Sequence, residues 1–208
     1  MSQFIESIKI EDQEVFLLEL HQKRVNDTFA HFGAQGSINL EKIVKNLEID
    51  EDGFFKLRIV YDLERNYKTQ LIPYAIAEID NFQLVENNTY DYAFKFEDRK
   101  EFEKMKTKAK CEEIIIVKNN YITDTSYTNL LFLKDEIWYT PTTYLLNGVM
   151  RQHLLKENKI KETEITLQNI KEFSHFQLIN SMNDFDDMFI YPIERIVNLP
   201  ESREYLGI

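Results

Sequence analysis

Lys95, Asp124, Asn129 and the run Gly148-Val149-Met150-Arg151 are the residues of this chain whose types and order could do chemistry together. The stretch from Tyr121 to Gln152 places a carboxylate at Asp124, an asparagine at Asn129, two short strands, and then Gly148 opening a helix. A carboxylate and a helix N-terminus can hold opposite ends of a small aromatic phosphate. The carboxylate keeps a ring nitrogen protonated, while free backbone N–H groups and the helix dipole hold the phosphate. With a lysine to bond an aldehyde, that is the division of labour pyridoxal phosphate requires. Lys95 is the candidate lysine.

The elements that must position these groups follow from the hydrophobic pattern. Alternation predicts strands at 3–9 and 14–18, separated by Glu11-Asp12-Gln13. A helix over 19–32 carries Val25, Phe29 and Phe32 on one stripe, with Gly33 placed to end it. A second helix is expected at 38–47, and long β-branched and aromatic strands at 54–63 and 69–78. The turn-rich passage 79–91 reads as a linker between a lobe of residues 1–85 and one of residues 86–208. Beyond it a strand is expected with Tyr92, Phe94 and Phe96 on one side and Lys95 on the other. Asp98 then caps a helix over 99–109. Strands follow at 112–117, 121–123, 129–133 and 136–140, a helix at 148–158 with Asn147 as its N-cap, and strands at 175–180 and 188–191. The tail, 192–208, reads as a docking segment or surface helix. Strands and helices alternate in both halves, which points to two lobes of α/β or α+β type.

Bulk composition excludes several classes. At 208 residues with 43% hydrophobic and 13% aromatic content, the chain can bury a substantial core. A net charge of −11 argues against general attraction to nucleic acid or to an anionic membrane. No apolar run approaches the roughly 20 residues of a membrane span, and MSQFIESIKI has no signal-peptide pattern. The single cysteine, Cys111, cannot form an intramolecular disulfide or a cysteine-based zinc cluster, which fits a reducing cytoplasm. No histidine spacing suggests a metal site, and five dispersed glycines form no nucleotide-binding loop.

The order of these motifs resembles the class IV, or fold-type IV, pyridoxal-phosphate enzymes, which include branched-chain and D-amino-acid transaminases and aminodeoxychorismate lyase. Three elements carry the resemblance: His21-Gln22-Lys23-Arg24 at the start of the first helix; Lys95 with Arg99 four residues on; and Ile122 to Leu130, followed by Tyr139-Thr140-Pro141 and Asn147 to Gln152. The likeness spans nearly the whole chain and implies an α+β fold of two lobes, mixed sheets with flanking helices. It implies that Lys95 is the Schiff-base lysine and that Asp124 pairs with the pyridine nitrogen. Arg24, the backbone at Val149 and Met150, and Ser181 would hold the phosphate. It also implies an active site between the lobes, near the interface of a homodimer. Where the family usually has glutamate, Asp124 is one methylene, about 1.5 Å, shorter. Lys95 must be neutral to attack a carbonyl, so burial and a nearby cation should lower its pKa, with Arg99 as one candidate.

Within the family, Gly-Val-Met-Arg-Gln and the lysine–arginine spacing are similar to the lyase. The expected reaction is the release of pyruvate and 4-aminobenzoate from 4-amino-4-deoxychorismate, a step of folate synthesis, with Lys95 as general base. A transaminase of branched-chain or D-amino acids shares every step up to loss of the proton. A cofactor-binding protein without activity is a third possibility, since the chain begins almost at the strand bearing Glu6 and carries Asp124 and Met150 at key positions.

Overall fold

The computed structural model describes residues 2–49, 52–185 and 189–201. The chain builds two sheets. The smaller has four antiparallel strands: β1 (Phe4–Glu11), β2 (Glu14–Val15), β3 (Phe54–Tyr61) and β4 (Tyr67–Pro73), in the order β2-β1-β3-β4. Helices α1 (Leu18–His31) and α2 (Leu40–Lys45) close its core, in which Phe4, Ile8, Val25, Phe29, Leu57 and Ile59 are buried. Pairing of β1 with β3 sets Ile8 against Leu57 and Glu6 against Ile59 on this inner face. The same register sets Ser7 against Arg58 and Lys9 against Lys56, and the two-residue period turns these pairs to the opposite face.

The larger sheet is mixed, with the order β10-β9-β8-β7-β6-β5. Its strands are β5 (Phe82–Glu86), β6 (Glu113–Lys118), β7 (Tyr121–Thr125), β8 (Asn129–Lys134), β9 (Ile137–Pro141) and β10 (Lys161–Thr163). β11 (His175–Ile179) pairs with β8 and carries β12 (Ile190–Pro192) on its other edge. β6 reads Glu-Ile-Ile-Ile-Val-Lys and is buried from Glu113 to Val117, as an unbroken apolar run demands. Helices α3 (Lys100–Ala109) and α4 (Val149–Lys156) complete this half. Two cores sit here, one around Phe132, Phe176 and Leu154, the other around Tyr92, Phe102 and Ile114.

Several expectations are corrected. The passage 79–91 is no bare linker: it carries β5, which pairs in parallel with β6, so the boundary expected at residue 85 falls inside a strand of the larger sheet. The chain crosses between sheets from Pro73 to Phe82. The strand expected at 92–96 does not form. Asp91 accepts from the Ala93 N–H in a tight side-chain turn, and Phe96 N–H donates to the Phe94 carbonyl, which bends the segment. β10 was unforeseen, because three residues give too short a pattern to read. The described part of the tail follows the docking alternative and not the surface helix: Ile193 and Ile196 are buried around a short 3-10 turn over 193–195, Val197 N–H donates to the Phe82 carbonyl at 2.9 Å, and residues 202–208 lie outside the described residues. Among the described residues no helix is long and apolar enough to cross a membrane.

Candidate active site

A cavity of about 380 Å³ opens between the two sheets, within the roughly 300–1,000 Å³ typical of small-molecule sites. Its walls bring together Lys95, Arg24, Asp124, Val149 and Ser181, which the sequence scatters over more than 150 positions.

Lys95 reaches the cavity from the bent segment before α3. Two backbone bonds lay this segment along the free edge of β1: Ile5 N–H donates to the Lys95 carbonyl (2.9 Å), and Glu97 N–H donates to the Gln3 carbonyl (2.8 Å). On either side, Phe94 and Phe96 pack against the smaller sheet's core through Phe32 and Phe4, while Tyr92 packs on Phe102 of α3. The aromatic residues therefore pin the segment to both halves and leave the lysine at their junction. Its amine makes no hydrogen bond or ion pair among the described residues. Burial, reinforced by the Arg24 charge, brings its pKa down to about 7, although Glu6 pulls the other way. A substantial fraction of the amine is thus neutral and nucleophilic near neutrality.

Arg24 stands on α1 and is held by Glu6, whose side chain is fully buried. Its Nε donates to one carboxylate oxygen at 2.9 Å and its Nη2 to the other. His21, one turn earlier, places Nδ1 2.6 Å from the same carboxylate. Burial alone would raise the Glu6 pKa, but Arg24 and His21 outweigh it and hold it at about 2. Burial lowers the His21 pKa, so a neutral imidazole donating from Nδ1 to the ionised Glu6 is the consistent tautomer. His21 is accordingly an orienting residue for Arg24 through Glu6.

Asp124 lies in β7 and pairs across the hairpin with Asn129 at the start of β8. One of its oxygens accepts from the N–H groups of Leu145 and Leu146, both at 2.9 Å; the other accepts from Asn129 Nδ2 at 2.8 Å. A carboxylate has about four acceptor positions, so one stays available on Oδ1. Burial raises the Asp124 pKa to about 7 in spite of these three donors. Asn129 also donates to the Leu146 carbonyl, and its side chain lies so close to Gly148 that a Cβ there would come within 2.0 Å of Asn129 Oδ1. Gly148 is required by this approach rather than by its backbone angles.

α4 begins at Val149 with no side-chain cap. Asn147, the expected N-cap, instead accepts from Arg151 Nη1 through its side chain. The N–H groups of Val149 and Met150 consequently have no acceptor among the described residues. Met150 turns its side chain into the core and is not among the residues that line the cavity. Ser181 lines the cavity, but its hydroxyl donates to the Ser7 carbonyl at 2.7 Å, joining the two halves.

The sequence reading did not find Glu6, nor the cavity wall made by Lys56 and Arg58 on β3 with Tyr74 beyond β4. Two cations two residues apart in the otherwise apolar strand Phe54–Tyr61 were the available signal. With Arg24, Lys95 and Arg99 they make five basic side chains on a wall whose one acidic residue among the described residues is Asp124; behind the wall Glu6 pairs with Arg24 and Glu97 with Arg58, in a protein of net charge −11. Such a cleft concentrates positive potential and attracts anions.

The class IV amino-transferase family matches residues 3–196. The chain belongs to that family. A protein of uncharacterized activity from Haemophilus influenzae is 29% identical over 187 residues, 88% of this chain and 99% of the relative. A structure from Haemophilus somnus 129PT, named provisionally as a 4-amino-4-deoxychorismate lyase, is 29% identical with a TM-score of 0.81, covering 89% of this chain and 98% of its own. The branched-chain amino acid aminotransferase of Escherichia coli shares the fold at 16% identity and a TM-score of 0.70, covering 97% of this chain and 79% of its own. Class IV membership makes the protein an enzyme of the aminotransferase and lyase group and implies pyridoxal phosphate. The site fits that group: a free amine of lowered pKa, a buried carboxylate with a spare acceptor, and an uncapped helix start near an arginine, all around one cavity.

Proposed function

We propose that this class IV protein is a pyridoxal-phosphate-dependent lyase that divides 4-amino-4-deoxychorismate into 4-aminobenzoate and pyruvate, supplying folate synthesis. The observation that carries the proposal is the surplus of cations. Arg24 and the start of α4 suffice for one phosphate, which leaves Lys56 on the β3 wall with no carboxylate partner among the described residues, beside Arg58, which Glu97 holds at 2.8 Å, and Arg99, which donates to the Ser126 carbonyl. A substrate with two carboxylates uses those charges, whereas a branched-chain amino acid brings one carboxylate and an apolar side chain. The provisional name of the Haemophilus somnus relative supports the same choice.

When bound, the cofactor supplies an electron sink for bond cleavage at the carbon bearing the substrate amine. Lys95 would bond its aldehyde, and Asp124, through its open acceptor position, would keep the ring nitrogen protonated. Arg24, steadied by Glu6, and the N–H groups of Val149 and Met150 would hold the phosphate. Ser181 joins them only if its hydroxyl turns away from Ser7. The Lys95 amine would act as general base, taking the proton from the substrate carbon bearing nitrogen. The ring-to-enolpyruvyl carbon–oxygen bond then breaks, its electrons leave with the oxygen, and a proton returned by Lys95 completes pyruvate. Aromatisation of the ring makes this step downhill, and no external oxidant or keto acid is needed.

The test is the visible spectrum of the purified protein after addition of pyridoxal phosphate and removal of the excess, with Lys95→Ala alongside. A yellow band that the substitution removes supports the cofactor and its lysine, and pyruvate release without added keto acid then supports the lyase. Strict dependence on a keto acid would identify a transaminase, and a colourless wild type would refute the cofactor assignment.

A further inference from the structure

Glu113, the first residue of β6, is fully buried and lies outside the cavity wall. Its carboxylate is surrounded by four donors. One oxygen accepts from the N–H groups of Ile114 and Ser126, both at 3.0 Å. The other accepts from Ser126 Oγ and from Lys106 Nζ of α3, also both at 3.0 Å. These fill its acceptor positions, so Glu113 has none left for a ligand. Two of the four donors belong to one residue, Ser126.

Ser126 is in the tight turn that joins β7 to β8, closed by a 2.9 Å bond from Thr125 N–H to the Thr128 carbonyl. Ser126, Tyr127 and Thr128 all line the cavity. Asp124 and Asn129 flank this turn and are paired with each other. The Ser126 carbonyl accepts from Arg99 Nη2, and Arg99 in turn lies over the Phe102 ring, 4.8 Å from its centre. A burial this complete is unfavourable for a carboxylate unless every oxygen is matched, and here the matching groups converge on one turn of the site.

We infer that Glu113 is a positioning residue: by gripping Ser126 from behind, it sets where the Asp124–Asn129 pair and the Arg99 guanidinium stand relative to Lys95. The inference rests on the cofactor reading of this cavity. Glu113→Gln keeps shape and the acceptor for two N–H groups but turns an amide toward Ser126 Oγ and Lys106. Ser126→Ala removes one arm of the grip with no change of charge.

The experiment titrates pyridoxal 5′-phosphate into wild type, Glu113→Gln and Ser126→Ala, following the visible band and its midpoint with pH. Displacements of about 1 Å at such sites lower rates about 100-fold. The expected result is at least about a tenfold loss of cofactor affinity in Glu113→Gln, a smaller loss in Ser126→Ala, and a displaced pH midpoint in both. Should Glu113→Gln fail to fold, the Ser126→Ala midpoint alone decides. Wild-type affinity and midpoint in the variants that fold would overturn this inference and leave the cofactor site standing. A wild type that takes up no cofactor would overturn the site itself, and the inference with it.

Discussion

At the scale of the residue, the chemistry turns on one amine that the fold keeps from its ordinary ionisation. Lys95 titrates near 10.5 in an open chain and near 7 in the folded protein. Between those values only the unfolded chain holds the proton. Burial of the charged amine therefore weakens the apo protein fully below pH 7, and the penalty fades as pH rises toward 10.5. Replacing Lys95 by Met should raise the apo melting temperature at pH 7 by a few degrees, at about 2–4 °C per kcal/mol relieved in a chain of this size. That gain should vanish in scans near pH 10.5, and an equal gain at both pH values would contradict the depressed pKa. In wild type, stopped-flow uptake of pyridoxal phosphate should quicken through a midpoint near pH 7 rather than near 10. Gly148 is the other informative residue. Gly148→Ala drives a Cβ against Asn129 Oδ1 and should break the amide's bonds to Asp124 and Leu146. Leaving such buried groups unmatched costs about 1–3 kcal/mol each. Urea unfolding should show that loss together with weaker cofactor binding; an unaltered midpoint and affinity would mean the turn adjusts freely.

At the scale of the element, β1 and α1 are joined by a buried charge cluster as well as by their apolar faces. Glu6 stands in a strand face otherwise made of Phe4, Ile8 and Ile10, and it is tolerated because Arg24 and His21 from α1 complete it. Glu6→Ala leaves the Arg24 guanidinium without its partner, and breaking such a buried pair costs about 3–5 kcal/mol. The folded-state pKa of Glu6 lies below its ordinary 4.5, so its stabilisation is present above pH 4.5 and is lost as pH falls toward 2. Acid-unfolding curves of wild type should carry that slope, and Glu6→Gln should flatten it between those pH values. A Glu6→Gln curve as steep as wild type would show that other carboxylates govern acid unfolding.

At the scale of the whole molecule, a negatively charged protein holds a positively lined cleft between its two sheets, kept together in part by Ser181 on Ser7 and by buried Lys9, which pairs with Asp184. Cofactor association should accordingly slow as salt rises through about 0.15 M, where charges beyond roughly 8 Å are screened. A salt-independent rate would mean that the cations act only at contact. We propose a homodimer, for which light scattering at working concentration should give about twice the 24.9 kDa chain mass; a monomer that turned over would refute it. What the sequence determined by itself was local. The alternation around Phe4–Glu11, the stripe of α1, the apolar run of β6 and the order of Arg24, Lys95, Asp124 and Gly148 were readable, because periodicity and motif spacing are properties of neighbouring residues. Only the tertiary structure decided that Phe82–Glu86 is a strand, since parallel pairing with β6 settles what turn-rich composition concealed. It alone decided that Lys95 is bent off the strand pattern, that Glu6 completes Arg24, and that Lys56 and Arg58 face the site. Those facts depend on which groups exclude water together and which charges meet there, and contacts between distant parts of a chain leave no period in its sequence.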